Sequence, residues 1–347
     1  MKRKFGLLLI ILAVIALTSI VILEKRNEQQ TKKIEESVNE VLPTGVKQTK
    51  QPLRISEMRK RDYPGSEITV EETLAKGVNY NRYIASYMSD GLKIYGLLTV
   101  PSTDKPEKGF PAIVFLHGYL APQTYVTTER YVAYQDGFAR AGYATFKPDL
   151  RGNGKSEGNS SVANFSPDYV TDVLNALASV QKMKEVNADK IGMWGHSMGG
   201  GLTLRSLVVS PKIKAAVVWA GVVGDYEDLI NRYRARIPWL KAETRPPTYS
   251  AFLDFMDKHG SPSVNPEFWK EIDPYTYLSD ISAPIQLHHS KTDESVPWEF
   301  SEHLERELKT KGKTVELFLY EGDNHNINGN FSVAMGRSVE FFDKYLK

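Results

Sequence analysis

Cysteine is absent from this chain of 347 residues. That excludes disulfides, zinc–thiolate sites, iron–sulfur clusters, thiol catalysis and a lipidated N-terminal cysteine. It leaves the compartment open, because an exported chain can do without disulfides. A marked excess of either charge is also missing. The formal net charge is +2, from 44 Lys and Arg against 42 Asp and Glu. The strong basic bias of a dedicated nucleic-acid binder is therefore lacking, and no nucleic-acid partner is expected. Apolar residues are not in short supply: 41% hydrophobic and 25% charged is the composition of a folded protein, not a disordered one.

Charge is missing in one further place. The run from Phe5 to Leu23 contains no charged residue and no proline. Its length, at ~1.5 Å per residue, is roughly 28 Å of helix, close to the hydrocarbon thickness of a bilayer. Lys2, Arg3 and Lys4 precede it, and Glu24-Lys25-Arg26 close it. A basic N-terminal flank stays cytoplasmic. The expectation is a transmembrane signal-anchor over residues 1–23, crossing the cell membrane once, with the catalytic domain extracytoplasmic. The competing reading is a cleaved signal peptide, but the small residues Ala16 and Thr18 are followed by Ile20-Val21-Ile22-Leu23. Residues 24–77 are polar and carry the breaker Pro43-Thr44-Gly45. They read as a polar tether.

From residue 78 to 347 the pattern changes. Tyr80 to Met88 and Leu92 to Val100 alternate like two antiparallel strands joined at Ser89-Asp90-Gly91. Six apolar runs of the buried, parallel kind follow, beginning near Ala112, Tyr143, Lys190, Ala215, Pro284 and Val315. Amphipathic stretches lie between them. In Asp168 to Met183, Val170, Val173, Leu174, Leu177 and Val180 make one stripe. Glu299 to Lys309 and Phe331 to Leu346 repeat the pattern. Strand–helix alternation of this sort predicts one α/β domain with a mostly parallel, eight-stranded sheet flanked by helices. Residues 224–280 break it. They hold no clear strand but many aromatics and arginines, and read as a helical lid inserted after strand 6.

The chemistry starts at Gly195-His196-Ser197-Met198-Gly199, a G-x-S-x-G between a buried strand and a helix. That context is a nucleophile elbow, which lifts the serine to the carboxyl end of the sheet beside a helix N-terminus. A serine hydroxyl needs a base at neutral pH. On such a sheet the partners follow in the order Ser, acid, His. His303 sits within an amphipathic helix, whereas His325 lies in the turn-rich Gly322-Asp323-Asn324-His325 after the last strand and is the expected base. Asp293, in the loop after the preceding strand, is the expected acid. Glu294 beside it points elsewhere, and Asp323 reads as a turn former. The oxyanion needs two donors. They are expected from the backbone N–H groups of Met198, after the nucleophile, and Tyr119, after Leu116-His117-Gly118. His117 reads as a prop for that loop, and Arg151 in Asp149-Leu150-Arg151-Gly152 as a bond to neighbouring backbone.

With these motifs on the page, the chain resembles an α/β-hydrolase, and more narrowly the catalytic domain of the prolyl oligopeptidase family of serine peptidases. The resemblance runs from about Asp90 to Lys347. It rests on Leu116-His117-Gly118, Asp149-Leu150-Arg151-Gly152, Asn187 through Gly200, and Pro284 through Pro297 with Gly322 to His325. It implies Ser197 as nucleophile, Asp293 as acid and His325 as base, with no metal or cofactor. Residues 24–77 are too few for the β-propeller of the well-known members, so prolyl specificity and dipeptide release are not implied. Gly-His-Ser-Met-Gly-Gly is also common in lipases and esterases of this fold. The expected partner is a small acyl ester or peptide substrate. A peptidase, a carboxylesterase and an inactive surface-binding module remain open at this point.

Overall fold

Why the domain begins where it does is decided by two apolar side chains. In the computed structural model, which describes residues 53–161, 163–233 and 247–347, a short helix α1 (Ile55–Arg59) buries Ile55 and Met58 completely. Arg59 locks it down, its Nε donating to Val208 O at 2.7 Å and its Nη1 to Asp280 at 2.8 Å. Strand β1 (Thr69–Leu74) then pairs antiparallel with β2 (Tyr80–Ser89). The tether expected over 24–77 is thus corrected from residue 53 onward: this part is integral to the domain, because it supplies core side chains and an edge strand. Residues 1–52, with the expected anchor, lie outside the described residues. Among the described residues no helix is long and apolar enough to cross a membrane.

The hairpin of β2 with β3 (Leu92–Pro101) closes through Asp90 and Gly91, both with positive φ, as a two-residue turn demands. Four buried strands come next: β4 (Phe110–Leu116), β5 (Ala144–Pro148), β6 (Val186–His196) and β7 (Ala216–Trp219). Strands β8 (Ile285–Ser290) and β9 (Val315–Tyr320) complete the sheet. The order is β1-β2-β3-β5-β4-β6-β7-β8-β9, and every pair from β5 onward is parallel. The sheet therefore has nine strands, not eight. The extra one is β1, whose side chains are mostly exposed and so lack the alternation that marks a half-buried strand.

Helices cover both faces. Helix α2 (Val132–Arg140) and α8 (Phe331–Leu346) pack on one side, around Phe115, Phe138, Trp194, Trp219 and Phe342. Helices α3 (Asp168–Gln181) and α4 (Met198–Val209) bury their apolar stripes on the other. The insertion carries α5 (Pro247–His259) and α6 (Pro266–Ile272); α7 (Glu299–Thr310) lies beyond it, between β8 and β9. Because the parallel strands all point the same way, the loops after β4, β6, β8 and β9 gather at one edge. The chemistry-bearing residues sit in those loops.

Candidate active site

Strand β6 ends at His196 and α4 begins at Met198, so Ser197 alone makes the turn. Its backbone is at φ 54°, ψ −119°. A non-glycine residue there carries strain of order 1–3 kcal/mol, which surrounding bonds must hold. They do: Ser197 N–H donates to Trp219 O at 3.0 Å, while Ser197 O accepts from Gly200 N and Val222 N, both at 2.9 Å. The flanking glycines are steric necessities. A Cβ on Gly195 would stand 2.3 Å from Gly199 O, and one on Gly199 would stand 2.2 Å from Leu116 O.

Asp293 and His325 come from the loops after the adjacent strands β8 and β9. His325 Nδ1 donates to Asp293 Oδ2 at 2.7 Å. The other carboxylate oxygen accepts from Ser295 N at 2.7 Å and Val296 N at 2.9 Å. Burial alone would raise the Asp293 pKa, but the imidazoles of His289 and His325 hold it well below the usual carboxylate range. An ionised carboxylate only accepts, so Nδ1 of His325 carries the proton and Nε2 is left as an acceptor. The His325 loop is built on Asp323. Its two oxygens take the N–H groups of Asn324, Gly329 and Asn330, and Ser290 and Thr292 donate to its carbonyl. Glu294 does have a part here, contrary to the expectation, since it accepts from His325 N at 3.1 Å.

Opposite lies the loop after β4. Met198 opens α4, so its N–H has no intrahelical acceptor and faces outward with the helix dipole behind it. Tyr119 stands next to Gly118, whose own N–H is taken, donating to Tyr131 Oη at 2.8 Å. His117 is buried and bonds Gly118 O at 2.7 Å, the propping role expected of it. Burial pushes its pKa down to about 4.

A family model described as "Serine aminopeptidase, S33" matches residues 109–265, and one described as "Dienelactone hydrolase family" matches residues 255–331. "Uncharacterized peptidase YtmA" of Bacillus subtilis (strain 168) is 28% identical over 244 residues, 70% of this chain and 85% of that one. Among solved structures, acetyl xylan esterase 1 from Thermoanaerobacterium sp. JW/SL YS485 superposes with a TM-score of 0.59 at 18% identity, over 83% of this chain and 90% of that one. The Pyrococcus horikoshii acylaminoacyl peptidase gives 0.62 at 23% identity, over 78% of this chain and 42% of that one. The chain is a serine hydrolase of the α/β-hydrolase fold. It resembles the catalytic domain of the prolyl oligopeptidase family, and less than half the acylaminoacyl peptidase has a counterpart in it.

Ser197, Met198, Tyr119 and His325 of this hydrolase line one cavity of about 490 Å³, together with Arg130, Tyr131, Tyr134, Ser295, Asn326 and Asn328 among others. Of residues 224–280, the expected lid, the described ones contribute none of its lining. Their aromatics are spent on packing instead. Phe252 and Phe255 pack against Phe165 with their rings inclined at 60°, and Trp269 meets Tyr226 edge-on at 4.9 Å. The insertion is helical as expected, but its described residues do not reach this cavity, while 234–246 lie outside the description. The reading of Arg151 is corrected. Its guanidinium bonds a carboxylate rather than backbone, with Nη2 and Nε reaching Asp172 at 2.6 and 3.0 Å.

Two contributors escaped the sequence reading. His289 donates through Nε2 to Asp293 Oδ2 at 3.1 Å, and its Nδ1 accepts from Ser301 Oγ at 2.7 Å. It stands four residues before the acid on β8, next to His288, and alternation sends only one of that pair toward Asp293. Tyr131 donates to His196 Nδ1 at 2.7 Å, and His196 Nε2 donates to His325 O at 3.1 Å. This relay ties the loops after β4, β6 and β9 together. Nothing local in the sequence marks Tyr131. His196 was visible only as the variable residue before the serine.

Proposed function

We propose that this hydrolase cleaves peptide or ester bonds through a covalent acyl-enzyme, and that it is most like a prolyl-oligopeptidase-type serine peptidase. The observation that carries the proposal is the 2.7 Å bond from His325 to a buried, ionised Asp293, with Ser197 on the wall of the same cavity. Ser197 Oγ attacks the carbonyl carbon as its proton passes to His325 Nε2. The oxyanion is met by the N–H groups of Met198 and Tyr119. His325 then gives the proton to the departing nitrogen or oxygen. Water, deprotonated by His325, attacks the acyl-enzyme, and Ser197 leaves with the proton returned. Asp293 keeps the imidazole in one tautomer throughout and stabilises its cation. No step calls for a metal or cofactor.

A second reading, a carboxylesterase, is favoured by one specific observation: among the described residues no Asp or Glu lines the cavity to receive a peptide's ammonium terminus. The acetyl xylan esterase likeness, over 90% of that chain, points the same way. A fluorophosphonate probe should label the wild type and not Ser197→Ala. An unlabelled but folded wild type would leave the inactive binding module as the reading. Matched ester and amide substrates then separate the other two, and ester turnover without peptide cleavage would remove the peptidase label. We also propose that residues 5–23 anchor the hydrolase in the cell membrane with its domain outside. Recovery of the intact chain in the soluble fraction would reject that.

A further inference from the structure

We infer that the preferred substrate of this site carries a carboxylate, seated by Arg130 on the wall of the cavity that holds Ser197. The inference rests on the acyl-hydrolase reading above and specifies its substrate class.

Among the described residues, Arg130 is the one permanently charged side chain in the cavity lining, and no carboxylate is part of that lining. The neighbouring acids, Asp293 and Glu294, are already bonded to His325. Beside Ser197, the histidines and the tyrosines, the rest of the polar lining consists of Ser295, Asn326 and Asn328, all neutral. The first turn of α4 adds the positive end of a helix dipole. Other arginines near the domain's loops have partners: Arg59 has Asp280, Arg61 has Asp90, and Arg151 has Asp172. Among the described residues, the guanidinium of Arg130 has none. A planar fork of donors on the wall of a reaction site, with no counter-ion among the described residues, matches a carboxylate in shape and charge.

Exposed arginines are common, but this one is held at a cost. Arg130 and Tyr131 are consecutive non-glycine residues in the left-handed region, at φ 47° and 57°. Each such residue stores strain of order 1–3 kcal/mol. Two interior groups keep the turn in place. Tyr131 Oη is tied to Gly118 N and His196, and Lys147 Nζ donates to the carbonyls of Glu129 and Arg130 at 3.3 and 3.4 Å. Lys147 is itself fully buried, and burial pushes its pKa down to about 8. A buried ammonium is expensive; Asp149 beside it offsets part of that cost, and the protons of Lys147 go to the carbonyls of residues 129 and 130. A surface arginine serving only solubility would need none of this.

The test uses pairs of nitrophenyl and benzoate esters that differ only in a carboxylate. On the acyl side, 4-nitrophenyl hemiglutarate is compared with 4-nitrophenyl pentanoate. On the leaving-group side, 4-acetoxybenzoate is compared with 4-acetoxybenzamide. The wild type should favour the anionic member of one pair by about tenfold in kcat/KM, and Arg130→Gln should lose most of that ratio while Arg130→Lys keeps part of it. The pair that responds tells which side of the scissile bond Arg130 faces. Raising the salt concentration on the wild type is the second measurement, needing no variant: only the anionic member should slow. Equal or inverted ratios in both pairs, or a ratio unmoved by Arg130→Gln and by salt, overturn the inference while turnover of the neutral esters leaves the hydrolase reading standing. Failure to turn over any ester or amide, with no probe labelling, would instead reject that reading.

Discussion

Replacing His289 by leucine tests whether Asp293 is positioned by more than its own loop. His289 is wholly buried, and its two ring nitrogens bridge Ser301 to the acid. Leucine fills similar space but strands Ser301 Oγ and takes one donor from Asp293 Oδ2. One buried group left unsatisfied costs about 1–3 kcal/mol of stability. The catalytic loss is bounded from both sides. Asp293 keeps the N–H groups of Ser295 and Val296 and the bond to His325, so it is not lost as an acid. A triad whose acid fails to hold the tautomer loses about 10⁴ in kcat. Losing one of four donors should fall well short of that, by about 10- to 100-fold in kcat, or roughly 1.4–2.7 kcal/mol of barrier. KM should stay put, because His289 does not line the cavity. Glutamine offers an N–H for Asp293 and an oxygen for Ser301, so His289→Gln should recover most of the rate. Steady-state kinetics with a chromogenic ester on the folded variants provides the readout. A folded His289→Leu with wild-type kcat, or an equal fall for leucine and glutamine, would refute the reasoning.

The remaining predictions concern stability. Arg151→Met leaves Asp172, which is fully buried, without its guanidinium and should cost about 3–5 kcal/mol in urea unfolding; Arg151→Met with Asp172→Leu should regain most of it, since paired apolar replacement avoids the lone buried charge. A single variant within about 1 kcal/mol of wild type would contradict that account. His288 is buried between Tyr320 and Gln286, and burial first, then Arg337, pushes its pKa down to about 3. Its folded pKa lies below the unfolded one, so its contribution is full above pH ~6.5 and is lost as pH falls toward the folded value. Between neutral pH and pH ~5 the wild type should lose about 2 kcal/mol more than His288→Asn, and parallel pH profiles would refute this.

What could be read beforehand follows from how local each signal is. The elbow is a steric statement about five consecutive residues, so Gly195, Ser197 and Gly199 carry it without help. Asp293 and His325 were placed by loop order alone, because parallel neighbouring strands deliver their following loops to one edge. The failures are non-local or too short. Ile55 and Met58 are two apolar residues three apart in a polar stretch, too little for a periodicity, yet both are fully buried. Phe252, Phe255 and Trp269 looked like a lid because an aromatic does not announce what it will pack on, and Phe165 is some ninety residues away in the chain. Tyr131 reaches His196 across 65 positions.

One further pattern links the fold to the site. The end of β5 and its loop bury three charges within five residues: Lys147, Asp149 and Arg151. A core needing only stability would be as well served by apolar residues of similar volume. Each of these charges instead ties down a different neighbour. Lys147 holds the carbonyls of Glu129 and Arg130. Asp149 accepts from Tyr125 at 2.8 Å and Thr127 at 2.5 Å, and burial lifts its pKa to about 6. Arg151 fastens its loop to Asp172 on α3. The first two grip the C-terminal end and the middle of the segment between Tyr119 and Tyr131, whose two ends line the cavity and which is not regular α-helix or strand over most of its length. A few local turn bonds (Thr124 N to Ala121 O, Tyr125 N to Pro122 O, Glu129 N to Val126 O) are all the backbone supplies within it, so buried side chains add the rest, and their desolvation is the cost of a defined cavity wall.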